Sequence, residues 1–180
     1  MVSSKQSIEE FQRLINHLAL SYPEINRAMV LALNKTIKRI MLLSSRNISK
    51  DLRLRLNIIQ NRMKAYKANR RKKVASLYQM IFDVPAIILG EPVKTSRGIR
   101  VGEHHFDGAF LVHGWDRDRI MKRLYRTRYP ISEVKIPVEK TTKLEFARQS
   151  LEVEELFNKI FSQELERIGH KKYAKSARSI

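Results

Sequence analysis

The sequence predicts an α+β fold, and three observations carry that prediction. Glycine is absent before position 90, so the first half lacks turn residues and reads as helix. Between residues 74 and 138, short runs rich in β-branched and aromatic side chains are bounded by Gly and Pro. From 144 to 168 apolar residues return at helical spacing. The expected order is N-terminal helices including a long basic helix, a central antiparallel sheet of short strands, and a C-terminal amphipathic helix. At 180 residues the chain is expected to be one domain, burying about 70 % of its unfolded surface. Its expected parts are a helical and basic part (1–73), a β part (74–138), the last helix (139–168) and a basic tail (169–180) that orders only on assembly.

Ser7-Ile8-Glu9-Glu10 has the spacing of a capping box, which starts the first helix there. Ile8, Phe11, Leu14, Ile15 and Leu18 then form one apolar face. Pro23 suits the first turn of a second helix, which runs through Ile25, Ala28, Met29, Ala32, Leu33, Ile37, Ile40 and Met41 and leaves Lys35, Lys38 and Arg39 outside. Ser49-Lys50-Asp51 offers a further N-cap. Beyond it the Leu-Arg-Leu-Arg-Leu alternation has the period of a strand, whereas Leu52, Leu56, Ile59 and Met63 have that of a helix. The reading taken is helix over 50–73, about 36 Å long at ~1.5 Å per residue. Strands are expected at Val74–Phe82, Pro85–Gly90, Gly98–Gly102, Gly108–Gly114, Ile120–Tyr125 and Val134–Ile136, joined as a meander. Val153, Leu156, Phe157, Ile160, Phe161 and Ile168 give the final helix its apolar face.

The chain carries 36 Lys and Arg against 18 Asp and Glu, a formal +18. The excess is local: residues 35–73 hold 14 basic side chains and one acid, Asp51, while the flanking segments are nearly balanced. That block implies a polyanionic or acidic partner. On the predicted helix its outward cations are Arg53, Arg55, Arg62, Lys64, Lys67, Arg70, Arg71, Lys72 and Lys73. A stripe of that kind binds phosphates without reading sequence, and its affinity falls steeply with salt. Acids cluster later, at Glu152, Glu154, Glu155, Glu164 and Glu166, before a tail with Lys171, Lys172, Lys175 and Arg178.

Other chemistry is thinly represented. No cysteine is present, which excludes disulfide scaffolds, thiol nucleophiles and Cys-ligated metals. There is no P-loop and no nucleophile elbow, and no cofactor is expected. No signal core and no apolar run of membrane-spanning length appears, so neither secretion by a signal peptide nor a membrane span is expected. His104 and His105 are adjacent, which on extended chain sends them to opposite faces, so with Asp107 and His113 they read as a polar loop and no metal site is assigned. His17 reads as a half-buried helix residue. Asp116 and Asp118 with Arg117 and Arg119 read as a solvated turn, and Trp115 beside them as cover for a core edge.

Arg128-Tyr129-Pro130-Ile131-Ser132-Glu133-Val134-Lys135-Ile136-Pro137, preceded by Gly108-Ala109-Phe110, resembles the signatures of the minor tail protein Z family of tailed phages and prophages. Ala32-Leu33-Asn34-Lys35 and Pro85-Ala86-Ile87-Ile88-Leu89-Gly90 occur in the family's order, and the likeness spans roughly residues 25–168. The decapeptide itself reads as structure: Tyr129-Pro130 makes a turn, Val134 and Ile136 point inward, and Pro137 ends the strand. The resemblance implies a non-catalytic virion protein that completes the tail at its head-proximal end. It implies a ring, expected to be a hexamer, beside the tail terminator, tail tube and neck proteins, with DNA passing through. The basic block would then face duplex DNA in the channel, or the acidic cluster of the next subunit. The alternative is a free-standing, non-catalytic nucleic-acid-binding protein. A small His/Asp metal nuclease is the third reading.

Overall fold

The computed structural model describes residues 4–115 and 117–176, and its class is α+β. The predicted tail residue Arg178 and the turn residue Asp116 lie outside the described residues. The chain groups into two compact units, each made of separated segments: residues 1–44, 63–79 and 146–180 in one, and 45–62 and 80–145 in the other.

The first unit is built on helices. Helix α1 (Ser4–His17) places Phe11, Leu14 and Ile15 against a core of Leu18, Leu20, Ala28, Ala32, Phe161, Leu165 and Ile168. Ser7 is buried inside α1, where its hydroxyl accepts a hydrogen bond from Asn158 (3.3 Å), so the box expected at Ser7–Glu10 is not the cap. The capping box that forms is Ser21-Tyr22-Pro23-Glu24 at the start of α2 (Tyr22–Asp51). The Ser21 amide and hydroxyl donate to Glu24 Oε2 at 2.7 and 2.8 Å. Ile8, expected on the apolar face, is 59 % exposed.

Ala28 and Ala32 have no exposure at all, and such small side chains let the helix carrying Phe161 and Leu165 approach closely. That helix, α4, spans Glu139–Ser176. It runs on past residue 168, where the expected last helix (139–168) ends, and takes in residues 169–176, which were expected as part of a tail that orders only on assembly. Close contact explains the extension. A Cβ on Gly169 would lie 2.8 Å from Leu18 Cδ2, and Lys172 Nζ donates to the Ala19 carbonyl at 2.6 Å.

The long basic helix expected at 50–73 does not form there. Helix α2 instead continues through the predicted N-cap to Asp51 and closes on itself. The Leu54 amide reaches back to Ser49 O (2.9 Å), the Arg53 amide to Lys50 O (3.2 Å), and Arg53 takes a left-handed φ of 50°. This is the six-to-one closure usually built on glycine, with buried Leu54 as its apolar clasp. Helix α1 ends the same way, with Ala19 at φ 46° and Leu20 N bonded to Ile15 O. After the closure come a short helix α3 (Leu56–Gln60) and strand β1 (Met63–Tyr66). β1 pairs antiparallel with β2 (Ser76–Gln79), Met63 opposite Gln79 and Tyr66 opposite Ser76.

In the second unit the strands form three small antiparallel sheets rather than one meander. They are β3 (Val84–Pro85) with β10 (Lys135–Ile136), then β4 (Pro92–Lys94), β5 (Gly98–Val101) and β6 (His104–Asp107), and β7 (Ala109–Val112), β8 (Arg119–Arg123) and β9 (Ile131–Glu133). The strand expected at Pro85–Gly90 is mostly a 3-10 turn, Ala86–Leu89, because the Arg55 guanidinium gathers the Ile88 and Leu89 carbonyls. The polar loop expected at His104–Asp107 is strand β6. Val134 couples two sheets: its amide donates to Ile120 O at 2.8 Å and its carbonyl accepts from Ala86 N at 2.9 Å. Ile48, Ile59, Val84, Val101, Ile120 and Val138 are among the side chains that bury almost completely in this unit.

Two carboxylates set the acid response of the first unit. Burial pushes the Glu164 carboxyl upward, but hydrogen bonds from Lys35 and Arg167 outweigh it and hold its pKa below the ordinary 4.5. The Ser21 amide, then the Ser21 hydroxyl, lowers Glu24 in the same sense, with Lys172 (3.5 Å) adding to it. A pKa lower in the folded state means that the unfolded chain takes up the proton first as pH falls. The stabilisation is thus complete above the unfolded value and is lost on acidification through the folded one. Thermal melts followed by circular dichroism are expected to fall in midpoint as the pH drops below about 4.5, and to fall less steeply in Glu164→Gln.

Candidate functional site

The predicted basic stripe is divided by the fold. Arg53, Arg55 and Arg62 belong to the second unit. Arg55 and Arg62 hold the chain there, Arg55 on the 3-10 turn and Arg62 Nη2 on the Phe82 carbonyl. Arg53 is exposed at the closing turn of α2, its carbonyl 3.2 Å from His104 Nε2. Lys64, Lys67, Arg70, Arg71, Lys72 and Lys73 belong to the first unit, on the β1–β2 hairpin and its connecting loop, and all are exposed.

That loop is ordered by two asparagines. Asn34, from the middle of α2, grips the backbone of Ala68 on both sides: Ala68 N donates to Asn34 Oδ1 (2.8 Å) and Asn34 Nδ2 donates to Ala68 O (3.0 Å). Ala68 is 5 % exposed between exposed neighbours, so this grip fixes the start of the loop. Asn69 Oδ1 then accepts from the amides of Arg71 (2.9 Å) and Lys72 (2.7 Å), and Asn69 N donates to Lys72 O (2.9 Å). The result is a tight turn that presents Arg70 to Lys73 as four consecutive cations. At its far end the Lys73 ammonium lies 5.7 Å from the ring centroid of Tyr22. A hydrogen bond with Asn26, then the Lys73 charge, holds the Tyr22 hydroxyl below its ordinary pKa.

Aromatic side chains share the exposed face of the hairpin. Tyr66 and Tyr78 are 49 % and 61 % exposed and meet edge to face with centroids 5.3 Å apart, and Lys64 Nζ stands 5.0 Å over Tyr66. Neither tyrosine stands out in the sequence, and Asn34 shows there only as part of the Ala32-Leu33-Asn34-Lys35 segment, with nothing to signal its hold on Ala68. Only the strand pairing, Lys64 opposite Tyr78, brings the tyrosines together, and a lone polar residue in a long helix is a weak signal by itself.

The acidic set on α4 divides as well. Glu152, Glu154, Glu155 and Glu166 are exposed, with Arg148 3.8 Å from Glu152. Glu164 is 2 % exposed and fully engaged by Lys35 and by Arg167 (2.9 and 2.5 Å), so it is withdrawn from any outward acidic surface. Glu154 and Glu155 instead border a groove with Glu10 and Phe11.

The family signatures sit in the second unit. Gly108 has φ 70°, Ala109 is buried, and Phe110 lies under the Arg123 guanidinium at 5.5 Å. Arg128 stands 5.7 Å over the exposed Tyr129 ring, the Tyr129–Pro130 bond is cis, and the Pro130 carbonyl accepts from Leu124 N at 3.1 Å. Ile131 opens β9, Ile136 is buried in β10, and Pro137 ends that strand two residues before α4.

The family model of prophage minor tail protein Z (GPZ) matches residues 7–172. The chain belongs to the minor tail protein Z family. It is also 29 % identical over 147 residues to the tail completion protein of Escherichia phage N15, covering 73 % of this chain and 79 % of that one. No solved structure matches. Membership makes this chain a minor tail protein of the phage virion, one that works against other tail components. The match takes in both Asn34, which holds the basic loop, and the Tyr129-Pro130 decapeptide. Among the described residues no group of three or more His, Asp or Glu side chains is placed to hold a metal, and no helix is long and apolar enough to cross a membrane. His105 is occupied by Asp107 (3.0 Å) and Thr95 (3.0 Å), and His113 by Asp118 (2.9 Å). Trp115, expected to cover a core edge, is wholly exposed.

Proposed function

We propose that this minor tail protein is a structural, non-catalytic tail completion protein. It forms a ring, a hexamer, at the head-proximal end of the tail and joins the tail to the neck, with DNA passing through. The observation that carries the reading is that one unit presents two unlike charged surfaces, the ordered loop Arg70–Lys73 and the exposed Glu152, Glu154 and Glu155. A ring with a heterologous interface needs two different complementary patches on each subunit, and opposite charge aligns them during encounter. The name of the N15 relative supports tail completion as the step. The exposed cations of the loop make the phosphates of the channel DNA a second object for the same surface.

Cryo-electron microscopy of tails from phage carrying a labelled copy tests this directly. The expected result is density at the head-proximal end only, with the label repeated six times about the tail axis. Label along the tube or at the distal tip would refute the placement. A single copy there would refute the ring.

A further inference from the structure

We propose that the second unit carries a phosphate-binding cleft, separate from the basic loop, between the β4–β5 turn and the β7–β8 pair. The cleft has a volume of about 570 Å³, and its charged lining is Lys94, Arg97 and Arg123, with His113 at the rim. Among the described residues no carboxylate lines it, and Asp118 holds the rim residue His113 at 2.9 Å. Some basic side chains of the described residues find acids, as in Lys35 with Glu164, Lys172 with Glu24, and Lys143 with Glu139. Among the described residues no acid lies in ion-pairing distance of Lys94, Arg97 or Arg123, although these come from separate elements and converge on one cleft. Gathering like charges is unfavourable unless an anion joins them.

The cleft is also rigid. The β4–β5 turn is closed by Thr95 N to Gly98 O (2.8 Å), by Gly98 N to Thr95 Oγ1 (3.1 Å), and by Gly108 N to Arg97 O (2.8 Å). A Cβ on Gly98 would stand 2.1 Å from the Phe106 carbonyl oxygen, so only glycine lets β5 and β6 close beneath the turn. On the other wall the Arg123 guanidinium stands over the Phe110 ring, 5.5 Å from its centroid. Two planar guanidinium groups with an ammonium beside them suit the several acceptor oxygens of a phosphate group better than a single carboxylate. Phe110 of the Gly108-Ala109-Phe110 signature thereby gains a role in the cleft, because its ring seats the arginine.

The phosphate has two possible sources, the backbone of duplex DNA and a free phosphate ester. The first rests on the proposed passage of DNA; the cleft itself does not. Full-length protein is titrated with a labelled duplex of about 20 base pairs by fluorescence anisotropy over a range of salt, and with inorganic pyrophosphate by calorimetry. The triple variant Lys94→Gln, Arg97→Gln, Arg123→Gln is compared with wild type and with a loop variant, Arg70→Gln, Arg71→Gln, Lys72→Gln, Lys73→Gln. Pyrophosphate is expected to bind wild type and loop variant and not the cleft variant. The cleft variant is expected to lose about tenfold in duplex affinity, with a log–log salt slope shallower by about 2.7 for three phosphate contacts. Pyrophosphate binding lost in the cleft variant with duplex affinity unchanged supports the cleft as a site for free phosphate esters. Absence of pyrophosphate binding in wild type, with an unchanged duplex slope in the cleft variant, overturns the proposal. In that case duplex binding lost only in the loop variant leaves the reading of the loop standing. Arg97→Glu alone, an exposed side chain with no partner among the described residues, repeats the test should the triple variant misfold.

Discussion

Phage carrying Arg70→Glu, Arg71→Glu, Lys72→Glu and Lys73→Glu are expected to make heads and tails that fail to join, with the altered protein folded and left unassembled. The four side chains are exposed, and the turn that carries them is held by backbone amides on Asn69 and by Asn34 on Ala68, which the changes leave in place. Stability is therefore expected to change by less than about 0.5 kcal/mol per site. Assembly is another matter. In the proposed ring, four cations become four anions facing Glu152, Glu154 and Glu155 of the next copy or the phosphates of the channel DNA. Like charges brought together at an interface cost several kcal/mol, enough to weaken association by ~100-fold or more. Sedimentation of the purified chain and counts of joined particles read the effect. In duplex titrations the salt slope is expected to become shallower by about 3.6 for four lost phosphate contacts. Joined, infectious particles in normal number would remove the loop from assembly.

The fold class and the outer helices were legible because they rest on periodicity, which packing rewards over long stretches. Phe11, Leu14 and Ile15 on α1 and Phe157, Ile160 and Phe161 on α4 meet in one core, as their spacing implies. The basic block misleads for a specific physical reason. Leu52, Leu56, Ile59 and Met63 do sit at helical intervals, yet α2 stops at Asp51 because Arg53 takes a left-handed conformation that usually announces itself with glycine. A non-glycine residue there costs about 1 kcal/mol, and the burial of Leu54 offsets it. Nothing local in Asp51-Leu52-Arg53-Leu54 signals that exchange. The two capping boxes are equally visible as Ser-x-x-Glu patterns. Pro23, inside the second, marks the one that starts a helix, since proline fits a first turn and not an interior.

The candidate site was half legible. Charge located the basic block along the chain but not its geometry, since a run of basic residues says nothing about its backbone. Glu164 looks like its neighbours Glu152 and Glu155 in composition, and only the helix packing shows that it faces Lys35 and Arg167 inside the unit. The cleft of Lys94, Arg97 and Arg123 could not be assembled from sequence at all, because its cations are brought together by the pairing of β4 with β5 and of β7 with β8.

Asn34→Ala is expected to disable the loop without touching its charge. The substitution removes both hydrogen bonds to Ala68 and leaves that residue's amide and carbonyl without partners in a place that is 5 % exposed. Losing two hydrogen bonds and stranding two backbone groups costs about 2–3 kcal/mol, or roughly 5–10 °C in the thermal midpoint for a chain of this size. Alanine favours the helix slightly over asparagine, so α2 itself is expected to persist, and the loss should be local. Hydrogen exchange at Ala68 and its neighbours is expected to accelerate while the amides of α2 stay protected. Duplex affinity and tail joining are then expected to fall although every cation remains, because a loop released from its anchor must be ordered again on binding, at about 1–2 kcal/mol per residue fixed. Asn34→Asp separates the two halves of the grip. It keeps an acceptor for the Ala68 amide but turns a carboxylate toward the Ala68 carbonyl, and it is expected to be no better than alanine. Unchanged protection at Ala68 in Asn34→Ala would show that the loop is held by its own Asn69 turn. Lowered protection with undiminished joining would show that charge suffices and that the preset geometry of the loop contributes nothing to assembly.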